Sequence, residues 1–193
     1  MKRFLVVGCG GSGGSTLAYM MDQLRSDLAA EGVDHLPRGW QFVHLDVPSA
    51  EEGGPDRIGN VEQQGGRYLG LGPKAGSYAD LDFAVSRKLA ATKALDSIAT
   101  WAPRDPTGIT VPINVGAGQY RSVGRMITLS KADALRAGLM RAWEDLHRVE
   151  THTVMKAASA RLRMGAYSEN EVPIVLIVSS MAGGAGASMA LDV

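Results

Sequence analysis

Three short stretches concentrate glycine where the backbone itself could hold an anion. Residues 6–15 read VVGCGGSGGS, residues 116–125 read GAGQYRSVGR and residues 179–188 read SSMAGGAGAS. Glycine has no Cβ, so the chain can approach a ligand closely or take a positive φ at such points. Where a glycine run joins a strand to a helix, the free N–H groups of the first turn and the helix dipole attract phosphate. Gly8, Gly10 and Gly13 have the G-x-G-x-x-G spacing of a dinucleotide fingerprint, with Asp46 as the acidic candidate. Asp46 lies about 33 positions after Gly13, against about 20 in the usual unit. The first stretch alone therefore leaves three readings open: a dinucleotide, another phosphate ligand, or a tight strand-to-helix turn. No G-x-x-x-x-G-K-[ST] occurs, and GLGPKAG at 70–76 places its lysine in the wrong order for a P-loop.

The elements that must position these stretches follow from hydrophobic spacing. Phe4 to Val7 is a short valine-rich run, expected to be a buried strand. Leu17, Met20, Met21, Leu24 and Leu28 recur on one helix face, so a helix is expected from Ser15 to about Ala30. WQFVHLD at 40–46 reads as a second strand, which completes a βαβ order and implies a parallel sheet. Residues 47–80 are rich in glycine, proline and charge and read as irregular. Helical spacing returns from Leu81 to about Trp101 and is ended by PRDP at 103–106. Ser130 and Asp133 resemble a capping box that opens a long helical pattern to about Met164, with a weak point at Thr151 to Thr153. VPIVLIV at 172–178 has no polar alternation and reads as a strand covered on both faces. It leads into the third glycine stretch and the start of a helix over Ala187 to Val193, a pattern expected of a portion of a longer protein. The fold class is α/β: a parallel Rossmann-like sheet flanked by helices.

Composition narrows the function classes. Twenty basic and twenty acidic residues cancel, which offers no electrostatic footprint for nucleic acid or an anionic membrane. Cys9 is the single cysteine, the start does not read as a signal peptide, and no apolar run approaches the roughly 20 residues of a membrane span. A cytoplasmic location is the expectation. Glycine accounts for 24 of 193 residues, well above the usual level of about 7%, and the excess is clustered.

Taken together, the three stretches resemble the phosphate-binding loops of the tubulin and FtsZ superfamily of GTPases. GCGGSGGS (8–15) is similar to that family's first loop, G-x-G-G-x-G-G-N. GAGQYRSVGR is similar to the loop of FtsZ that carries G-A-G and then V-G-R and meets the terminal phosphate. MAGGAGAS (181–188) resembles the tubulin pattern G-G-G-T-G-S/T-G, with Ala182, Ala185 and Ser188 replacing its first Gly, its Thr and its last Gly. Asp46 corresponds to the acidic end of the loop on the magnesium side of the nucleotide. The resemblance implies an incomplete tubulin/FtsZ-type GTPase domain over residues 1–193, lacking later elements. It implies GTP or GDP with Mg²⁺ as ligands, hydrolysis in the full-length protein, and longitudinal assembly into homo-oligomers or filaments. The implied nucleotide-binding positions are Gly8, Cys9, Gly10, Gly11, Ser12, Gly13, Gly14, Ser15, Asp46, Gly116, Ala117, Gly118, Arg121, Ala182, Gly183, Gly184, Ala185 and Gly186, with Asp46 on the metal. No catalytic residue is implied, because the family's water-activating acidic loop lies further along the chain and acts from the next subunit.

Two other function classes stay open at this point. A nicotinamide- or flavin-dependent oxidoreductase would need the first stretch alone. A non-hydrolysing nucleotide-binding homologue is suggested by Ala185, where a threonine hydroxyl contact is lost unless Ser188 or Ser179 supplies one. Ser15 serves equally well as a phosphate contact or a helix cap. Arg121 and Arg125 could neutralise a terminal phosphate, and Glu51 and Glu52 read as a solvated acidic pair. His147 and His152 are wrongly spaced for a metal on one helix face, and Ser179 and Ser180 lack a nucleophile elbow.

Overall fold

The apolar run at the start of the chain becomes the central strand β1 (Phe4–Cys9), in a computed structural model that describes residues 1–193. Hydrogen bonds flank it on both sides. It pairs in parallel with β2 (Trp40–Asp46), from Phe4 opposite Trp40 to Cys9 opposite Leu45. On its other side it pairs with β4 (Ile174–Ser179), from Phe4 opposite Ile174 to Cys9 opposite Ser179. A short β3 (Arg67–Gly70) extends β2, giving the order β3-β2-β1-β4 with every strand parallel. All four carboxyl ends therefore lie at one end of the sheet, where ligands of such sheets bind.

Period-two alternation sends the side chains of β1 into two cores. Leu5, Val7 and Cys9 join the larger one, with Val43 and Leu45 of β2 and with residues of several helices, chiefly α2 (Tyr78–Ala91), α4 (Arg121–Ser130) and α5 (Ala132–Asp145). Val6 joins Leu17, Met21, Phe42 and Val61 beneath α1 (Gly10–Ala30). A short α3 (Asp96–Ala99), α6 (Val149–Arg161) and α7 (Ala185–Met189) complete the chain. Arg3 is buried at the opposite end of the sheet. Its guanidinium donates to the carbonyls of Leu146, Glu169 and Glu171, which meets the demand that a buried charge be hydrogen-bonded.

Several expected boundaries move, each for a local reason. α1 begins at Gly10, not Ser15, so most of the first glycine run is the opening of the helix. The region 47–80 contains β3, which alternation in its four residues is too short to reveal. α2 starts at Tyr78 because Ser77 and Asp80 form the capping box: Ser77 Oγ accepts from Asp80 N at 3.2 Å, and Asp80 Oδ2 accepts from Ser77 N at 3.0 Å. Ser130 and Asp133 form no such box. Ser130 ends α4 and donates to Ile127 O, while Asp133 reaches Lys88 at 3.1 Å. The helical pattern expected from there to Met164 is two helices, broken at 146–148. Buried Thr151 does not weaken the second helix, since its hydroxyl donates to Asp145 O at 2.6 Å and so caps the end of α5. The chain after Lys93 (φ +58°) turns, which separates α2 from α3 inside the single helix expected there.

The largest departure is β4. Val175, Leu176 and Ile177 are 47%, 42% and 45% exposed, because β4 is the edge strand and is not covered on both faces. No helix is long and apolar enough to cross a membrane.

A close backbone contact joins β1 to α1. A Cβ on Gly8 would lie 2.8 Å from both the carbonyl carbon and oxygen of Gly13, and one on Gly13 would lie 2.8 Å from Val178 O. Backbone cannot yield as a flexible side chain can, so Gly8→Ala is expected to destabilise by about 2 kcal/mol or more, read as a lower urea midpoint. An unchanged midpoint would contradict this packing.

Candidate functional site: a cavity among three helix starts

The three glycine stretches converge. A cavity of about 200 Å³ at the carboxyl ends of β1 and β4 is lined by Cys9, Gly10, Gly11 and Ser12 from the first stretch. The second contributes Gly116, Ala117 and Gly118, and the third Ser180, Gly183, Gly184, Ala185 and Gly186. Ser180 alone among these was absent from the expected set. Its Oγ accepts from Ala182 N at 3.2 Å, and nothing in the sequence distinguished it from Ser179.

Close backbone approach locks the three segments together. Gly184 N donates to Gly118 O at 3.0 Å, and a Cβ on Gly184 would lie 2.7 Å from that oxygen. Gly10 has φ +72° and faces Gly186, whose nitrogen would lie 2.8 Å from a Cβ on Gly10. A side chain at Gly10 is therefore refused both by its dihedral and by its neighbour. In contrast, a Cβ on Gly183 would meet nothing within 4 Å, and one on Gly11 only Asp46 Oδ2 at 3.8 Å. These two positions are open.

The starts of the helices carry the electrostatics. The first N–H groups of any helix lack intrahelical partners, and a side-chain cap or a first-turn acid usually compensates. α2 has its capping box, while α3, α5 and α6 carry Asp96, Asp133 and Glu150 in their first turns. The three helices that follow the cavity's segments, α1, α4 and α7, have neither a side-chain cap nor a first-turn acid. Arg121 opens α4, a placement the helix dipole disfavours unless an anion is nearby. Its guanidinium donates to Met181 O at 2.7 Å and so ties the second segment to the third.

Seven of the expected positions do not line this cavity. Gly8 and Gly13 serve the β1–α1 contact. Gly14 makes room for the His44 ring, 2.2 Å from where its Cβ would be. Ser15, Gly14 and Asp46 line a second cleft of about 130 Å³, with Glu52 and Tyr68, and the two cavities share Gly11. Ala182 is exposed, and Arg121 acts through Met181. Arg125 lies elsewhere: it pairs with Asp192 at 3.3 Å and stacks over Trp101, so it is not poised for a phosphate. Ser188 and Ser179 do not restore a hydroxyl to the cavity. The first donates to Gly184 O and Ala185 O, and the second to Ser180 O.

The side chains at the site are restrained. Burial, and then the Asp46 charge, pushes the Cys9 thiol up to about 12, so it remains protonated and non-nucleophilic at neutral pH. Asp46 Oδ1 accepts from Val47 N at 2.7 Å, and Oδ2 lies 3.9 Å from His44 Nε2. Burial raises the Asp46 carboxyl above the usual carboxylate range; the Val47 amide and His44 oppose this, and Glu52 adds to it. Glu51 is not a solvated acid. Its side chain is 2% exposed, and its oxygens accept from Val61 N and Glu62 N while facing His44 Nδ1 at 2.5 Å. No cluster of three or more His, Cys, Asp or Glu side chains is arranged to hold a metal.

A family model described as "Tubulin like" matches residues 5–193. No curated protein and no solved structure matches the chain.

The Asp46 environment has a stability consequence. A carboxyl whose folded pKa is raised loses stability as pH climbs from the ordinary carboxylate range through the folded value, so the charged form carries the cost. Asp46→Asn, which keeps an acceptor for Val47 N, is expected to melt higher than the unaltered protein at pH 7 in metal-free buffer. The gap should close toward the ordinary carboxylate range. A lower melting temperature at pH 7 would show that the charge is compensated.

Proposed function

The chain belongs to the tubulin-like family, and from that premise we propose that it binds a guanine nucleotide, with Mg²⁺, through backbone N–H groups of the three converging segments. The observation that carries this reading is a cavity lined by the uncapped starts of α1 and α7 and by the segment that leads into the uncapped α4. A polyphosphate supplies the negative charge and the acceptors that a first-turn acid or, at α2, a capping side chain supplies at the other helices.

Each set of residues has a task under this reading. Gly10, Gly11 and Ser12 open α1 and offer amides to the inner phosphates. Gly116, Ala117 and Gly118 offer a second set from beside α4, and Gly183 and Gly184 a third. Arg121, at the mouth of α4, adds positive charge. The carboxylate of Asp46 fits Mg²⁺, which takes one or two protein carboxylates and otherwise keeps waters and phosphate oxygens. When bound, the ion neutralises phosphate charge. Hydrolysis coupled to longitudinal self-assembly in the full-length protein completes the proposal. A binding-only role is the second reading, favoured by Ala185 and by the inward turn of Ser188, which leave no hydroxyl of the third segment's helix facing the ligand.

Calorimetry with GTP, GDP and NAD in the presence of Mg²⁺ tests the proposal. Guanine nucleotides should bind and NAD should not; the reverse pattern overturns it. Gly183→Val sharpens the test, since Gly183 has no positive φ and its Cβ would meet nothing. The variant should melt like the unaltered protein yet lose GDP affinity by about tenfold or more, the equivalent of one good hydrogen bond to a charged group.

A further inference from the structure

The buried imidazole of His44 has no role in the reading above, although it is the side chain closest to the weakest part of the site. α1 opens with Gly10, Gly11, Gly13 and Gly14, and glycine is the poorest helix former apart from proline. Something outside the helix must hold this turn. His44 is 6% exposed and reaches Gly10 O with Nε2 at 3.2 Å, while Nδ1 meets Glu51 Oε1 at 2.5 Å. A carbonyl can only accept, so Nε2 carries a hydrogen, and a proton lies between Nδ1 and Glu51. Glu51 is in turn fixed by the amides of Val61 and Glu62. The absence of a side chain at Gly14 is what admits the ring, and Tyr68 closes it in edge-on at 5.2 Å.

We propose that His44 is a positioning residue for phosphate recognition: by anchoring the Gly10 carbonyl it keeps the Gly11 N–H turned toward the phosphates. In a trans peptide the C=O and the N–H point in opposite directions, and this chain has no cis bonds. The Gly10–Gly11 unit has glycine on both sides, so its plane can rotate at little steric cost. Rotated, it would present a carbonyl to the phosphate instead of a donor. The donation from His44 selects the binding orientation, and Glu51 holds His44 in place. This role of His44 rests on the nucleotide-binding reading.

Three substitutions divide the two contacts of the ring. An asparagine amide nitrogen falls near the position of Nδ1, a glutamine amide nitrogen near that of Nε2, and leucine donates to neither. With GDP and Mg²⁺ as the probe, His44→Gln should bind within about threefold of the unaltered protein. His44→Asn and His44→Leu should each lose about tenfold or more, the scale of one charge-assisted hydrogen bond. Glutamine as damaging as leucine, or asparagine as good as histidine, would overturn the proposal. A second readout needs no variant: in ¹⁵N-labelled unaltered protein the Gly11 amide should move strongly on GDP binding, and an unmoved Gly11 amide with other glycine amides shifted would also overturn it. If the unaltered protein binds no guanine nucleotide, the nucleotide-binding reading fails first and takes this inference with it. Binding that is indifferent to all three substitutions removes the inference alone.

Discussion

Everything at the carboxyl end of this sheet depends on backbone packed directly against backbone. Gly8 on Gly13, Gly13 on Val178, Gly10 on Gly186 and Gly184 on Gly118 leave no room for a Cβ on the first-named glycine of each pair. Because these contacts are so short, α1 can begin one residue after β1 ends, and α7 can settle against the same strand end. The starts of α1 and α7, with the segment leading into α4, are thereby drawn round one small cavity. Bulkier residues would push them apart and divide the cavity among separate loops.

The same arrangement carries local costs. Three helices begin without a cap, Arg121 sits at the wrong end of a dipole, and Asp46 carries a charge in a place where burial opposes it. Such local violations of otherwise consistent rules are expected at functional sites. Under the proposed function they share one remedy, an anion with its cation. The rest of the site is quiet by comparison. Cys9 is held as an inert thiol, Ser188 is turned inward, and Glu51 and His44 are locked together beneath the first turn of α1. The reactive surface offered to a ligand is mostly peptide.

Much of this could be read from residue order. The β1–α1–β2 unit was legible because valine-rich runs and a long 3.6-residue spacing are strong signals, and the three glycine stretches stood out by number and context. Boundaries were less legible. Two Ser-x-x-Asp patterns are present, at Ser77 and at Ser130, and only the packing around each decides which one caps a helix. β3 is a strand because β2 offers it an edge from Val43 to Asp46, not because RYLG has a pattern of its own. Glu51 looked like half of an exposed acidic pair; contact with His44 and two amides from ten residues onward buries it.

Within the site, residue types alone identified the three segments that meet at the cavity, since glycine is required wherever peptide meets peptide. They could not sort one glycine from another. Gly8 turns out to receive α1, Gly13 receives β1 and β4, and Gly14 receives an imidazole, while Gly11 and Gly183 face open space. That division belongs to the tertiary structure, because it depends on which neighbour arrives at each missing side chain: Val178 of β4 and His44 of β2 come from other elements, and Gly13 reaches Gly8 only because α1 folds back against β1.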